Sequence, residues 1–187
     1  MKKNKLIIFA LILSASIQSC KKEQVELPAP IVNQPENITT LKLQLTDSAN
    51  SAAVINAQYR DADGPGGNAA TIDSLILDKG KTYLVNLILQ DETKSPVVDI
   101  SSEVLEEGKE HQFFYSTTIS GITFSYNDVD VNGNPIGLKF KLRTANATAT
   151  GKTKVTLKHQ PGVKVSAPGD ITKGDTDVEV EFNTRIK

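Results

Sequence analysis

The chain predicts an all-β fold: a single antiparallel β-sandwich of immunoglobulin-like kind, about nine strands with one short helix, behind an N-terminal lipoprotein signal. Two observations carry this. Apolar and polar residues alternate with period two in segment after segment, the mark of strands with one face on a core and one in water. Between those segments stand short Gly-, Asn-, Asp- and Pro-rich pieces such as "DADGPGG", "DKGK" and "NDVDVNGNP", which end strands and make turns.

The first nineteen residues are processing signal and stand outside the fold. Lys2, Lys3 and Lys5 form a basic head, and Leu6 to Leu13 form an apolar run. That run is far short of the ~20 apolar residues a membrane-spanning helix needs. The Ile17-Gln18-Ser19-Cys20 quartet resembles a bacterial lipobox, with Gln18 departing from the small residue usual there. Cys20, the only cysteine, is then the lipidated residue, and more than one acyl chain on it gives stable anchoring. Lys21 and Lys22 follow with no adjacent aspartate, which places the expected home in the cell envelope, lipid-anchored at the outer membrane, on its periplasmic or surface face. Residues 20–37 carry Pro28, Pro30 and Pro35 without periodicity and read as lipid anchor and flexible tether.

Residues 38–187 are the expected sandwich domain. Leu41, Leu43 and Leu45 alternate with Lys42 and Gln44, and Tyr83, Val85, Leu87 and Leu89 share a face. Leu138, Phe140 and Leu142 alternate with Lys139, Lys141 and Arg143, and Val178, Val180 and Phe182 with Glu179 and Glu181. Strands are expected near 39–46, 52–59, 71–78, 82–90, 110–118, 121–127, 136–145, 152–159 and 176–184. The helical candidate is "DISSEVLEEGKEH", capped by Ser101 or Ser102 and ended at Gly108.

Without Lys2, Lys3 and Lys5 the mature chain keeps 18 Lys+Arg against 22 Asp+Glu, a net charge of −4. That balance excludes a basic nucleic-acid footprint. Tryptophan is absent, so stacking platforms have little material.

Two stretches, "YRDADGPGGN" and "YNDVDVNGNP", share the pattern Tyr-x-Asp-x-Asp-x-x-Gly. Calcium takes six to eight oxygens, and Asp61, Asp63 and Asn68 in the first loop or Asp128, Asp130, Asn132 and Asn134 in the second offer them. Turn chemistry alone accounts for the same residues. Each tyrosine, Tyr59 and Tyr126, is expected to cap the core edge with its hydroxyl in water. The two histidines sit in strands, His111 in "EHQFFY" and His159 in "VTLKHQP". They read first as a pair of hydrogen-bonded strand-end histidines, and alternatively as a zinc or copper site completed by Glu110 or Asp175. No Gly-x-Ser-x-Gly elbow, His-Glu-x-x-His pair or phosphate-binding glycine loop occurs, so the expectation is not an enzyme.

The lipobox with "YLVNLILQDE", "EHQFFY", "NGNPIGL" and "GDTDVEVEF" resembles a group of short, uncharacterised Gram-negative lipoproteins catalogued as type 1 periplasmic binding fold superfamily proteins. That label implies a two-lobed α/β protein, whereas the periodicity here implies strands throughout. The group carries no established catalytic residues. The functional expectation is a non-enzymatic, membrane-anchored sandwich that binds a ligand or partner protein, as accessory to an outer-membrane uptake transporter or surface partner. The alternative is a metal-binding lipoprotein, with calcium in the loops or zinc or copper at the histidines.

Overall fold

The structure, a computed structural model, describes residues 36–187. The signal segment, Cys20 and nearly all of the 20–37 tether lie outside the described residues. The elements in chain order are β1 (Thr40–Asp47), β2 (Asn50–Arg60), β3 (Thr71–Ile72), β4 (Leu75–Leu77), β5 (Thr82–Asp91), β6 (Val98–Asp99), α1 (Ile100–Glu106), β7 (His111–Thr117), β8 (Thr123–Tyr126), β9 (Lys139–Arg143), β10 (Ala149–His159) and β11 (Asp175–Ile186). One sheet runs β3-β2-β1-β5-β9-β8, with β6 added on the end of β5. The other runs β4-β11-β10-β7.

The period-two faces meet as expected. Leu41, Leu43 and Leu45 pair with Leu89, Leu87 and Val85 on β5 and with Tyr59, Ala57 and Ile55 on β2. They share one buried cluster with Phe113, Leu157, Val180 and Phe182 of the other sheet. Each fully buried side chain of this kind contributes roughly 2 kcal/mol, which makes the interleaved faces the main cohesion of the sandwich. On the outer face of the smaller sheet, Glu179 and Glu181 lie against Lys154 and Lys152 at 2.7 and 3.1 Å.

Three expectations are corrected. The stretch 71–78 is two strands, not one. Asp73 closes back on β2, its N–H donating to the Gln58 carbonyl while its carboxylate accepts the Gln58 N–H, and the chain then crosses to the other sheet. Second, the sandwich is not wholly antiparallel. Emerging from that crossing, β4 runs parallel to β11, pairing Leu75 with Thr184 and Leu77 with Ile186. Third, Asp99 caps α1, not a serine. Its Oδ1 accepts the Ser101 N–H and its Oδ2 the Ser102 hydroxyl. Ser101 is diverted because its own hydroxyl oxygen accepts the Leu89 N–H of β5 at 2.7 Å.

Tyr126 also departs from expectation. Its hydroxyl donates to the Phe113 carbonyl at 2.7 Å, and the Tyr115 hydroxyl donates to that of Gly137. The two tyrosines thus bridge the open side of the sandwich between β7 and β8. Gly137 has φ +95°, and a Cβ there would lie 2.7 Å from Phe113 Cβ, so only glycine allows this closure.

Candidate functional site

The two acidic loops and both histidines collect at one end of the sandwich. There β5 finishes, β1, β7 and β11 begin, and the 60–71, 127–138 and 160–174 connections turn. The two Tyr-x-Asp loops leave this end from β2 and β8, four strand positions apart in the same sheet. At ~4.8 Å per strand that separates them by about 19 Å, too far to share an ion.

Within each loop the acids are engaged as turn acceptors. Asp63 Oδ2 accepts the backbone and side-chain N–H groups of Asn68 at 2.9 and 2.7 Å. Asp61 binds through its backbone N–H to the Thr39 carbonyl, and its Oδ1 is a buried oxygen without a hydrogen-bond partner. Asp128 accepts the N–H groups of Gly137 and Lys139, one on each carboxylate oxygen. Burial raises its carboxyl above the ordinary value, those two bonds offsetting only part. Asp130 Oδ1 accepts the N–H groups of Asn132 and Asn134, and the exposed Asn132 contributes through its backbone.

Asp130 has a second role. Its Oδ2 lies 3.1 Å from Lys164 Nζ in an ion pair whose side chains are 2% and 3% exposed. Lys164 also donates to the carbonyls of Gly108 and His111 at 2.5 and 3.0 Å, tying both loops to the start of β7. Each charged residue is flanked by valines: Val129-Asp130-Val131 and Val163-Lys164-Val165. The alternation is inverted here, because the charges face inward while Val129, Val131, Val163 and Val165 are 59%, 83%, 43% and 42% exposed.

The histidines do come together. β7 and β10 pair with His111 directly opposite His159, and the rings stack with centroids 4.6 Å apart and planes 13° from parallel. Their expected acidic partners do not complete the site. Glu110 is nearly half exposed and lies 3.5 Å from His159 Nε2, while Asp175 is exposed at the start of β11.

Two other acids face His111. Glu36 Oε1 lies 3.0 Å from His111 Nε2 and Asp177 Oδ2 lies 3.8 Å from it, with all three side chains buried. Close as they are, none of these facing atoms is in an aligned hydrogen bond: Glu36 Oε1 and Oε2, His111 Nε2 and Asp177 Oδ2 are all buried without one. The other ring nitrogen, Nδ1, is 3.3 Å from the Glu107 carbonyl.

Neither acid was legible in the sequence. Glu36 falls in the proline-bearing stretch expected to be tether. Asp177 has odd parity in a strand whose even positions, Val180, Phe182, Thr184 and Ile186, are the buried ones. The register slips there, from Leu157 opposite Val178 to Lys158 opposite Thr176, leaving Asp177 as the extra residue of a β-bulge. The bulge turns its carboxylate inward. Gly174, at φ +67°, permits the approach of this strand, since a Cβ would lie 2.0 Å from the His159 carbonyl oxygen.

The electrostatics are those of crowding. Burial works to raise the Glu36 carboxyl, but contact with His111 and the charges of both imidazoles outweigh it and hold it below its ordinary value. Burial likewise opposes the charged form of His111, yet Glu36 and then Asp177 raise it above the usual imidazole range. Asp177 is pushed up to about 6, first by burial and then by the Glu36 charge.

Comparison with known proteins finds no matching family model, no matching curated protein and no matching solved structure.

Proposed function

We propose that this chain is a lipid-anchored, non-enzymatic β-sandwich of the cell envelope that binds a partner protein through its loop end, as accessory to an outer-membrane uptake system. The observation carrying this reading is the inverted pair of loops, Val129-Asp130-Val131 against Val163-Lys164-Val165. Burying an ion pair is expensive, and turning four valines to water has no folding benefit. Four exposed valines on two loops that this ion pair holds together support a protein-binding surface. The lipobox-like quartet ending at Cys20 supports anchoring, and no helix among the described residues is long and apolar enough to cross a membrane. An immunoglobulin-like reading of the sandwich is supported by strands that switch between two facing sheets.

The test is site-specific photo-crosslinking in intact cells, from Val129 and Val131 and, as control, from Val54. The last is 45% exposed, near the opposite end of β2. Both loop positions should capture the same membrane protein and the control should not. Val131→Asp should abolish capture without changing the melting temperature, and Cys20→Ser should remove acyl labelling and membrane retention. Equal capture from Val54, or none from either loop position, would refute the reading.

A further inference from the structure

We propose that Glu36, His111 and Asp177 form a binding site for a divalent first-row transition-metal ion, of which zinc fits the donor set. This goes beyond the partner-binding reading and is independent of it.

The geometry comes first. One ligand atom from each residue lies within 4.8 Å of the other two, and the two contacts to His111 Nε2 are 3.0 and 3.8 Å. Nitrogen and oxygen ligands held ~2.1 Å from a tetrahedral zinc lie about 3.4 Å from one another, so these atoms already stand at the spacing of a coordination sphere. The Glu36–His111 ion pair accounts for only part of the arrangement. One carboxylate would satisfy one ring nitrogen, but here two buried acids converge on the same nitrogen and neither makes an aligned hydrogen bond with it.

The surroundings are also those of a ligand set. His111 is fully buried, and the carbonyl of Glu107 faces its Nδ1. A proton held there leaves the Nε2 lone pair directed at the two acids, the outer support a metal-bound imidazole usually has. Two carboxylates and a neutral imidazole offer a charge of −2, which a dication balances inside a site otherwise carrying unpaired charge. A second grouping, Glu107, His111 and His159, gathers on the other side of the ring. It is the weaker candidate, because the Glu107 carbonyl stands at Nδ1 and the Glu107 side chain is 38% exposed. In this assignment His159 is the stacking cover on the ring, not a ligand. The three ligands come from the segment leading into β1, the start of β7 and the β11 bulge. A bound ion therefore fastens that leading segment to the smaller sheet.

The experiment uses the full mature chain, stripped with chelator and titrated with Zn²⁺ by calorimetry, with the metal content measured by elemental analysis. Co²⁺ absorption reports the coordination directly. One ion per chain is expected, weakened at least about tenfold in Glu36→Gln and in Asp177→Asn, each with an unchanged far-ultraviolet spectrum. His159→Gln should stay within about threefold of the parent, because it removes only a stacking neighbour. Absence of zinc binding in the parent, or parent-like binding in both carboxamide variants, overturns the site. Loss in His159→Gln as large as in Asp177→Asn overturns the ligand assignment in favour of the Glu107 side of the ring.

Discussion

Replacing Asp177 by asparagine should make the metal-free protein more stable at neutral pH. Asp177 is raised from 3.8 to about 6, by burial first and the Glu36 charge second, while the His111 and His159 imidazoles draw it only partly back and Asp175 adds to the rise. Glu107 lies on the far side of His111. Below about pH 3 the carboxyl is protonated whether the chain is folded or not, and contributes nothing. Between about 4 and 6 the unfolded chain releases a proton that the folded chain retains, so stability falls as pH rises, and above that the loss is constant. A displacement of about two pH units at ~1.4 kcal/mol each makes this on the order of 3 kcal/mol. Asparagine keeps the shape and cannot ionise. The value of about 6 already contains the attraction to His111 and His159, so the net gain at pH 7 should be about 3 kcal/mol or slightly less. Urea melts of chelator-treated parent and variant from about pH 3 upward should coincide near pH 3 and diverge to a plateau above about 6.5. With zinc at ~100 times the parent's dissociation constant the variant's lead should shrink by about 1.3 kcal/mol or more, because the parent gains ~2.7 kcal/mol of ligand binding and a tenfold weaker variant only about 1.4 kcal/mol. A variant less stable than the parent at pH 7, or a difference independent of pH, would refute the reasoning and make Asp177 an ordinary structural acceptor.

Four further outcomes follow from the same end of the sandwich. Gly174→Ala should cost about 2 kcal/mol or more, measured by urea melts, because it places a Cβ against the His159 carbonyl in a left-handed conformation. Lys164→Ala should cost roughly 3–5 kcal/mol by leaving Asp130 buried without its cation, and thermal melts should show it at once. Calcium at roughly 1 mM should leave the melting temperature unchanged, since Asp63, Asp128 and Asp130 already accept hydrogen bonds from their own loops. Hydrogen exchange at Ile38 and Thr39 should slow when zinc is added to the parent and stay unchanged in Glu36→Gln, because the ion would hold the segment leading into β1.

Much of the fold is legible locally. The Leu41-Leu43-Leu45, Phe140-Leu142 and Val180-Phe182 alternations locate strands because a pleated backbone sends neighbouring side chains to opposite faces, whatever the strand is paired with. The same locality explains the errors. Nothing in "TIDSLIL" shows that Asp73 will turn back onto Gln58 and send Leu75–Leu77 to the other sheet, since both halves alternate correctly. Ser101 and Asp99 are both good caps by residue type, and the choice fell to Asp99 only because Leu89 occupies the serine hydroxyl.

The candidate site shows the division most sharply. Composition alone supplied two histidines, and hydropathy placed both in strands. Their stacking depended on the register of β7 with β10, which neither segment encodes by itself. Glu36 joined them from the segment leading into β1, and Asp177 through a bulge. Pairing register, burial and the approach of like charges are set between residues distant in sequence, so they became definite only once the sheets had packed.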